Sequence, residues 1–364
     1  MSNHLQKYAH IPLKQISNRV WRTYEGGALI DKWKKTSPEV DSNMPEEWIM
    51  STITARGKNR PEKEGLSFIE TDEGTIPLKQ IIDSDLTLFL GEALAEKYGT
   101  TGVLIKMLDS LERLTVQVHP DKHYAKKVFN SAFGKTESWY VLNTRTINGE
   151  KSVVYMGFKE HVTKEIWKNH FENQDIEGML NCLHKIEVKP GDAFMIYGGV
   201  PHAIGSGCFL MEVQEPTDYT MRVEKTTPNG LKIGPELIHQ GVGEEKMLEC
   251  FHYDTYSMEE ALQRWKIIPE VIDHSSEFTL KTLFNDKHTH CFGLNELLLH
   301  GHYTLKGNSS FYVMVIYAGS GTLHCNGKDF AYAQGDELFI SAAIPAISLT
   351  SKTESKILIC YPPS

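Results

Sequence analysis

Pro190-Gly191-Asp192-Ala193-Phe194-Met195-Ile196-Tyr197-Gly198-Gly199-Val200-Pro201-His202 has a counterpart near the end of the chain, Gln334-Gly335-Asp336-Glu337-Leu338-Phe339-Ile340-Ser341-Ala342-Ala343-Ile344-Pro345-Ala346. Gly-Asp opens each copy, an apolar stretch follows, and proline falls at the same offset. Gly-Asp makes a tight turn into a buried strand, and the proline closes its far end. Two copies predict two related β-barrels. They differ in one residue that matters: His202 in the first is Ala346 in the second. A barrel that has lost such a side chain is expected to persist as a structural or dimerising domain.

Outward from these corners, short strands alternate with turn signals. Strands are predicted at Glu187 to Val188, Ala193 to Tyr197, Cys208 to Gln214, Phe311 to Tyr317 and Glu337 to Ile340. Helical spacing appears at Leu86 to Tyr98 after Asp85, with Gly91 inside it, and at Lys164 to Phe171 after Thr163. It appears again at Met258 to Trp265 after Ser257, and Glu172 to His184 adds a short helix. The expected fold is mainly β, a β core decorated by helices. The stretch from about Glu244 to Pro269 reads as helical. The chain is therefore expected to divide into a first unit with helical elements at 1–250, a helical connector at 251–269 and a C-terminal barrel at 270–364.

The 364 residues, 40% of them hydrophobic, suffice for one large core or two ordinary ones. Net charge is −9, from 47 acidic and 38 basic residues, with no long Lys/Arg run, which argues against a nucleic-acid partner. An anionic metabolite then needs a local cluster of cations. The N-terminal MSNHLQKYAHIPLKQ lacks an apolar segment of the secretory kind, and no stretch is long enough to cross a membrane. Cys182, Cys208, Cys250, Cys291, Cys325 and Cys360 are scattered without a C-x-x-C pair. That fits reduced thiols in the cytoplasm and not a disulfide framework or a zinc ribbon.

Four residues form a candidate metal set. In Val116-Gln117-Val118-His119-Pro120 the strand period of two puts Gln117 and His119 on one face. Glu137 begins an apolar strand in Gly134-Lys135-Thr136-Glu137-Ser138-Trp139-Tyr140. The Gly-Lys-Thr there is not a phosphate loop, because Phe129 stands where the earlier glycine is required. His202 follows a tight corner that can aim it inward. Taken singly, each is an ordinary strand, surface or loop residue. Together they offer two nitrogens and two oxygens, which suit Zn²⁺, with Fe²⁺, Mn²⁺ and Co²⁺ also compatible. A rival set, His288, His290, His300 and His302 with Glu296, lacks a partner corner, because Ala346 occupies it.

The chain resembles the class I mannose-6-phosphate isomerases (phosphomannose isomerases) of the shorter bacterial kind. The resemblance rests on Lys106-Met-Leu-Asp109 with Leu114-Thr-Val-Gln117-Val-His119-Pro-Asp121, on Gly134 to Tyr140, on Pro190 to Gly205, and on Met211-Glu212-Val-Gln214-Glu-Pro-Thr-Asp218-Tyr-Thr-Met-Arg222. Glu47-Trp48-Ile-Met-Ser51 resembles an early family block. The resemblance implies two cupin-like (jelly-roll) barrels with a helical part. It places Gln117, His119, Glu137 and His202 on zinc ligands, Arg222 on an active-site arginine, and Lys106 and Asp218 on polar positions considered for catalysis. It also implies interconversion of mannose 6-phosphate and fructose 6-phosphate with one Zn²⁺ per chain. The chain departs from the family at Trp21-Arg22-Thr23-Tyr24-Glu25-Gly26-Gly27, which carries extra residues, and at Met221.

An aldose–ketose shift moves a proton between C1 and C2 through a cis-enediol. Arg222 then stabilises developing charge or clamps the phosphate, and Lys135 is a second phosphate contact. Lys106 acts as base if its pKa is depressed, or else is a structural partner of Asp109 or Glu112. Asp218 and a metal-bound water are the other candidates for the base. A non-catalytic sugar-binding cupin, an isomerase for another sugar phosphate, and an oxygenase or epimerase are the competing readings. The partners expected are a small sugar phosphate, no nucleic acid and no membrane, for a monomer or homodimer.

Overall fold

The computed structural model describes residues 4–57 and 60–364. Its first half holds two sheets. One runs, in hydrogen-bonded order, Lys266–Ile267, Ala193–Ile196, Glu137–Thr144, Cys208–Gln214, Leu104–Asp109, Glu46–Ile49 and Arg19–Val20. The other runs Leu183–Glu187, Val153–Lys159, His202–Ile204, Gln117–Val118 and Met221–Arg222, with Thr255–Tyr256 added in parallel to Val153–Lys159. Leu108, Trp139, Met156, Phe194, Ile204 and Leu210 fill the space between them.

The second half repeats the plan. A seven-stranded sheet takes Leu13–Lys14 at one edge, then Glu337–Ile340, Tyr312–Ala318, Ser355–Tyr361, Gly293–Leu299, Phe278–Phe284 and Glu270–His274. Its four-stranded companion is His302–Lys306, Ala346–Ser351, Ser320–Cys325 and Lys328–Ala333. Strand alternation sorts the side chains: Met314 and Ile357 point into this second core, while Val313, Val315 and Leu358 point out of it. The outward set meets Ile105, Met107, Met211 and Val213 from the first seven-stranded sheet in one apolar cluster. The two large sheets thus pack back to back.

The duplicated corners share their local geometry. Gly191 and Gly335 hold φ of 96° and 92°, a region costly for any residue with a Cβ. Asp192 Oδ2 accepts the Lys189 amide and Asp336 Oδ2 the Ala333 amide, each at 3.0 Å. Each corner leads into a fully buried strand, Ala193–Ile196 or Glu337–Ile340. After the prolines, His202 and Ala346 each begin the next strand.

The predicted helices form at Lys164–Asn173, Ile176–Asn181 and Met258–Trp265, the last with a full capping box at Ser257 and Glu260. The long helix expected over Leu86 to Tyr98 is instead two, Leu86–Leu90 and Glu92–Lys97. Gly91 breaks it at φ 91°, where a Cβ would lie 2.1 Å from the Ser309 carbonyl oxygen. The stretch around 251–269 is not purely helical. It packs two short strands, Thr255–Tyr256 and Lys266–Ile267, onto the first pair of sheets.

Candidate active site

The inward face of the first large sheet is apolar in the middle and charged at one end. Strand period explains this: Lys106 shares a face with Leu108, Glu46 with Trp48, Glu137 with Trp139, and Glu212 with Leu210. Register sets them side by side, Lys106 opposite Trp48 on one neighbour and Glu212 on the other. From the facing sheet, Gln117 is paired with both His202 and Arg222.

His119, Glu137 and His202 converge, and they are the one group of three possible metal-binding residues within reach of one another among the described residues. All three are essentially inaccessible to solvent. The two Nε2 atoms stand 3.2 Å apart. Glu137 Oε2 lies 3.2 Å from the first and Oε1 3.4 Å from the second. Each imidazole commits Nδ1–H to a carbonyl, His119 to Tyr219 O at 2.9 Å and His202 to Val200 O at 2.8 Å. Both Nε2 lone pairs therefore point at one spot. Burial holds both imidazoles below their usual pKa, so they are neutral, as ligands must be. Glu137 Oε2 is buried without a hydrogen bond, while Oε1 accepts Trp139 Nε1–H at 3.1 Å. Two nitrogens about 2.0–2.1 Å from a tetrahedral cation would be about 3.3–3.4 Å apart. The facing lone pairs and the orphaned carboxylate oxygen therefore fit a small divalent metal. Gln117 lies beside the trio: its amide is 3.3 Å from His202 Nε2, and a half-turn would present Oε1 there instead. The rival histidines do not converge. His300 and His302 are exposed, and Glu296 is engaged by Tyr140 and Lys356.

Beside the trio lies a narrow cleft of about 30 Å³ with Lys106, Lys135, Arg22 and Arg222 facing Glu46, Glu212 and Asp218. A far larger cavity, about 680 Å³, sits by Leu94 and Tyr361, away from these charges and the trio. Lys135, placed by the turn before Glu137, donates to His119 Nε2 at 3.0 Å and to Thr220 Oγ1 at 3.3 Å, so it belongs to the metal end. Lys106 is bonded to Glu212 at 2.7 Å and lies 3.9 Å from Glu46. Burial alone would lower the Lys106 pKa, but Glu212 and Glu46 raise it above the ordinary value. The depressed lysine envisaged from sequence is therefore not what this arrangement provides. Its partner is also neither Asp109 nor Glu112: Asp109 lies on the opposite face, accepting the Gly27 and Leu29 amides.

Burial pushes the Asp218 carboxyl up, but Arg22 and Lys106 bring it below the usual range. Burial and the neighbouring Glu137 push Glu212 up. Burial also draws the Arg222 guanidinium down to about 10. Met221 points away from the cleft into the core with Val118 and Val223, so that departure from the family pattern does not touch the pocket. The extra residues after Trp21 do touch it: Arg22, Thr23 and Tyr24 form part of its wall. Sequence reading missed Arg22, Glu46 and Glu212 as site residues. The period-two pattern of Glu46-Glu47-Trp48 and Met211-Glu212-Val213 carried the signal for the last two.

A cluster that could hold a metal thus lies at the polar end of a jelly-roll core, beside a cleft of paired cations and carboxylates. Residues 14–142 match the family model for phosphomannose isomerase type I, catalytic domain. The mannose-6-phosphate isomerase of Streptococcus mutans is 38% identical over 121 residues, 33% of this chain and 35% of that one. Bacillus subtilis YvyI, provisionally named a mannose-6-phosphate isomerase, is 26% identical over 250 residues, 68% of this chain and 71% of its own length. The crystal structure of mannose 6-phosphate isomerase from Bacillus subtilis shares the fold at a TM-score of 0.70 and 22% identity, covering 96% of this chain and 99% of that one. Several curated relatives are matched over only about a third of their length. The resemblance to the class I mannose-6-phosphate isomerases is borne out.

Proposed function

We propose that the protein interconverts D-mannose 6-phosphate and D-fructose 6-phosphate through a cis-enediol, as a zinc enzyme holding one Zn²⁺ per chain. The observation that carries this reading is the convergence of His119, Glu137 and His202 beside a cleft whose cations and carboxylates suit a sugar phosphate. Gln117, His119, Glu137 and His202 would hold the ion, which when bound supplies Lewis-acid polarisation of the substrate oxygens. Glu212 is held against Lys106 at 2.7 Å. We assign its carboxylate the proton transfer: it takes the proton from one of C1 and C2 as the C–H electron pair enters the enediol and returns it to the other, while Lys106 stays protonated beside it. Arg222 and Lys135 stabilise negative charge on the substrate. Asp218, ionised beside Arg22, accepts from sugar hydroxyls.

In this reading residues 1–250 form the catalytic unit, 251–269 the connector and 270–364 a barrel without a metal site. The six buried free cysteines support a reducing, cytoplasmic setting. No described helix is long and apolar enough to cross a membrane. The test is an assay coupling fructose 6-phosphate formation to a dehydrogenase, with elemental analysis of the same preparation. About one zinc per chain with turnover of mannose 6-phosphate is expected. A zinc-loaded protein that leaves mannose 6-phosphate untouched would refute the proposal.

A further inference from the structure

The cleft continues outward into a second small cavity, which shares Arg22, Thr23, Asp218 and Arg222 with it and adds Arg56 and Gln240 at its far side. The three guanidiniums in its wall are unevenly satisfied. Arg22 is 9% exposed. Its Nε donates to Glu46 Oε2 at 2.8 Å and Nη1 to the Trp21 carbonyl at 3.1 Å. Its Nη2 has no hydrogen-bond partner, the nearest anion being Asp218 Oδ1 at 3.7 Å. Arg222 donates only to the carbonyls of Thr220 and Leu237, and among the described residues no carboxylate comes within ion-pairing distance of it. Arg56 stacks on Tyr219 and donates to Gln240, while its backbone amide donates to Asp218 Oδ2 at 2.8 Å. Three guanidiniums stand against Asp218 in the wall and Glu46 behind Arg22, which leaves a positive excess that suits an anion. A buried guanidinium N–H without an acceptor is costly, and a phosphate oxygen supplies the strongest acceptor available to it.

We infer that this outer cavity is the phosphate subsite, with the Arg22 Nη2 as its buried anchor, Arg222 on the inner side and Arg56 at the mouth. The inference rests on the sugar-phosphate reading above and deepens it. The metal ligands and Lys135 lie at the inner end, so the sugar's reacting carbons face inward and its phosphate outward. Arg22 belongs to the extra residues between Trp21 and Gly26, so the anchor is a feature of this chain's own loop. Glu46 and Tyr24 hold it: Tyr24 donates to Glu46 Oε1 at 2.8 Å, which fixes the carboxylate that orients the Arg22 fork.

The experiment is calorimetric titration of the zinc-loaded full chain with inorganic phosphate, and separately with mannose 6-phosphate and mannose. Arg22→Gln is expected to weaken phosphate binding at least about tenfold, Arg22→Lys by about three- to tenfold, and Arg56→Gln by about threefold. Mannose binding stays within about twofold in all three. In the isomerase assay the KM for mannose 6-phosphate rises in step with these losses. Should Arg22→Gln fail to fold because Glu46 is left bare, Arg22→Lys and Arg56→Gln carry the test. Phosphate that fails to bind the unaltered chain, or binds Arg22→Lys and Arg56→Gln as tightly as the unaltered chain, overturns the subsite. So does equal weakening for mannose and mannose 6-phosphate. An inactive unaltered chain that still binds phosphate through Arg22 would refute the isomerase proposal and leave the subsite standing. Normal turnover with an unchanged KM in these two variants would do the reverse.

Discussion

Replacing Lys106 by Met removes the cation from between two buried carboxylates while keeping most of the side chain's volume. Lys106, Glu212 and Glu46 are each under 5% exposed, and Lys106 Nζ is 2.7 Å from Glu212. Arg22 continues to serve Glu46, so Glu212 is the group left bare. Breaking a buried pair in this way costs about 3–5 kcal/mol, most of it the unpaired charge. Spread over the unfolding entropy of a chain this long, that is a fall in Tm of about 4–7 °C. The sign of the pH dependence follows. Burial and Glu137 already hold Glu212 above its unfolded pKa, and loss of Lys106 raises it further. A carboxyl with a raised folded pKa favours the folded state at low pH and loses that contribution as pH climbs past the unfolded value. The deficit of the variant should therefore shrink toward pH 5 and widen toward pH 8. Adding Glu212→Gln removes the bare charge and should recover more than half of the loss. Differential scanning calorimetry of the four members of this cycle at both pH values, with turnover measured alongside, reads all of this. Turnover should fall about 10²- to 10⁴-fold in both single variants. A Lys106→Met protein as stable as the unaltered chain at pH 8, or a double variant no better than Lys106→Met, would refute the reasoning.

His202→Ala should reduce bound zinc from about one per chain to under a tenth, with turnover falling in parallel; a full complement of metal in that variant would remove His202 from the ligand set. Arg222→Lys keeps the charge and loses the planar fork, so turnover should drop about 10- to 100-fold, measured at saturating substrate. Glu337, fully buried between Glu47 and Lys34, is pushed up to about 8, mainly by burial. Its contribution to stability is therefore greatest at low pH and is lost as pH rises from its unfolded value through about 8. Glu337→Gln should flatten that decline, gaining about 1–3 kcal/mol at pH 9 relative to pH 6 in denaturant melts; an unchanged slope would count against the shift.

The parts of the fold and site set by local sequence could be read directly. The Gly-Asp corners repeat because a tight turn, a buried strand and a closing proline are all short-range demands. The alternation around Gln117 and His119 likewise depends on neighbours two residues away. What escaped was set by register between distant strands. Lys106 was given Asp109 or Glu112 as a structural partner, although period two puts Asp109 on the other face. Its true partner, Glu212, is assigned only by which strands lie side by side. The single-residue alternation of Glu46 and Glu47 also separates two functions: Glu46 faces the cleft, while Glu47 faces Lys34, Gln15 and Glu337. Arg22 was noticed as an irregularity of spacing, but its depth in the wall depends on how the loop folds over Glu46.

The strand Leu13–Lys14, near the start of the chain, finds its partner in Phe339 and Leu338, near its end. The same junction carries Gln15, bonded to Glu337 Oε2 at 2.8 Å and to the Trp48 carbonyl at 2.9 Å, and Trp33, bonded to the Ile316 carbonyl. During synthesis these groups must wait until almost all of the polypeptide has left the ribosome. Glu47 and the strand that presents Glu46 to the cleft wait with them, since Lys34 and Gln15 reach both sides of the junction. The second pair of sheets is therefore the closing piece of the first. A chain cut before residue 337 would have every proposed catalytic side chain and no finished wall to hold them against.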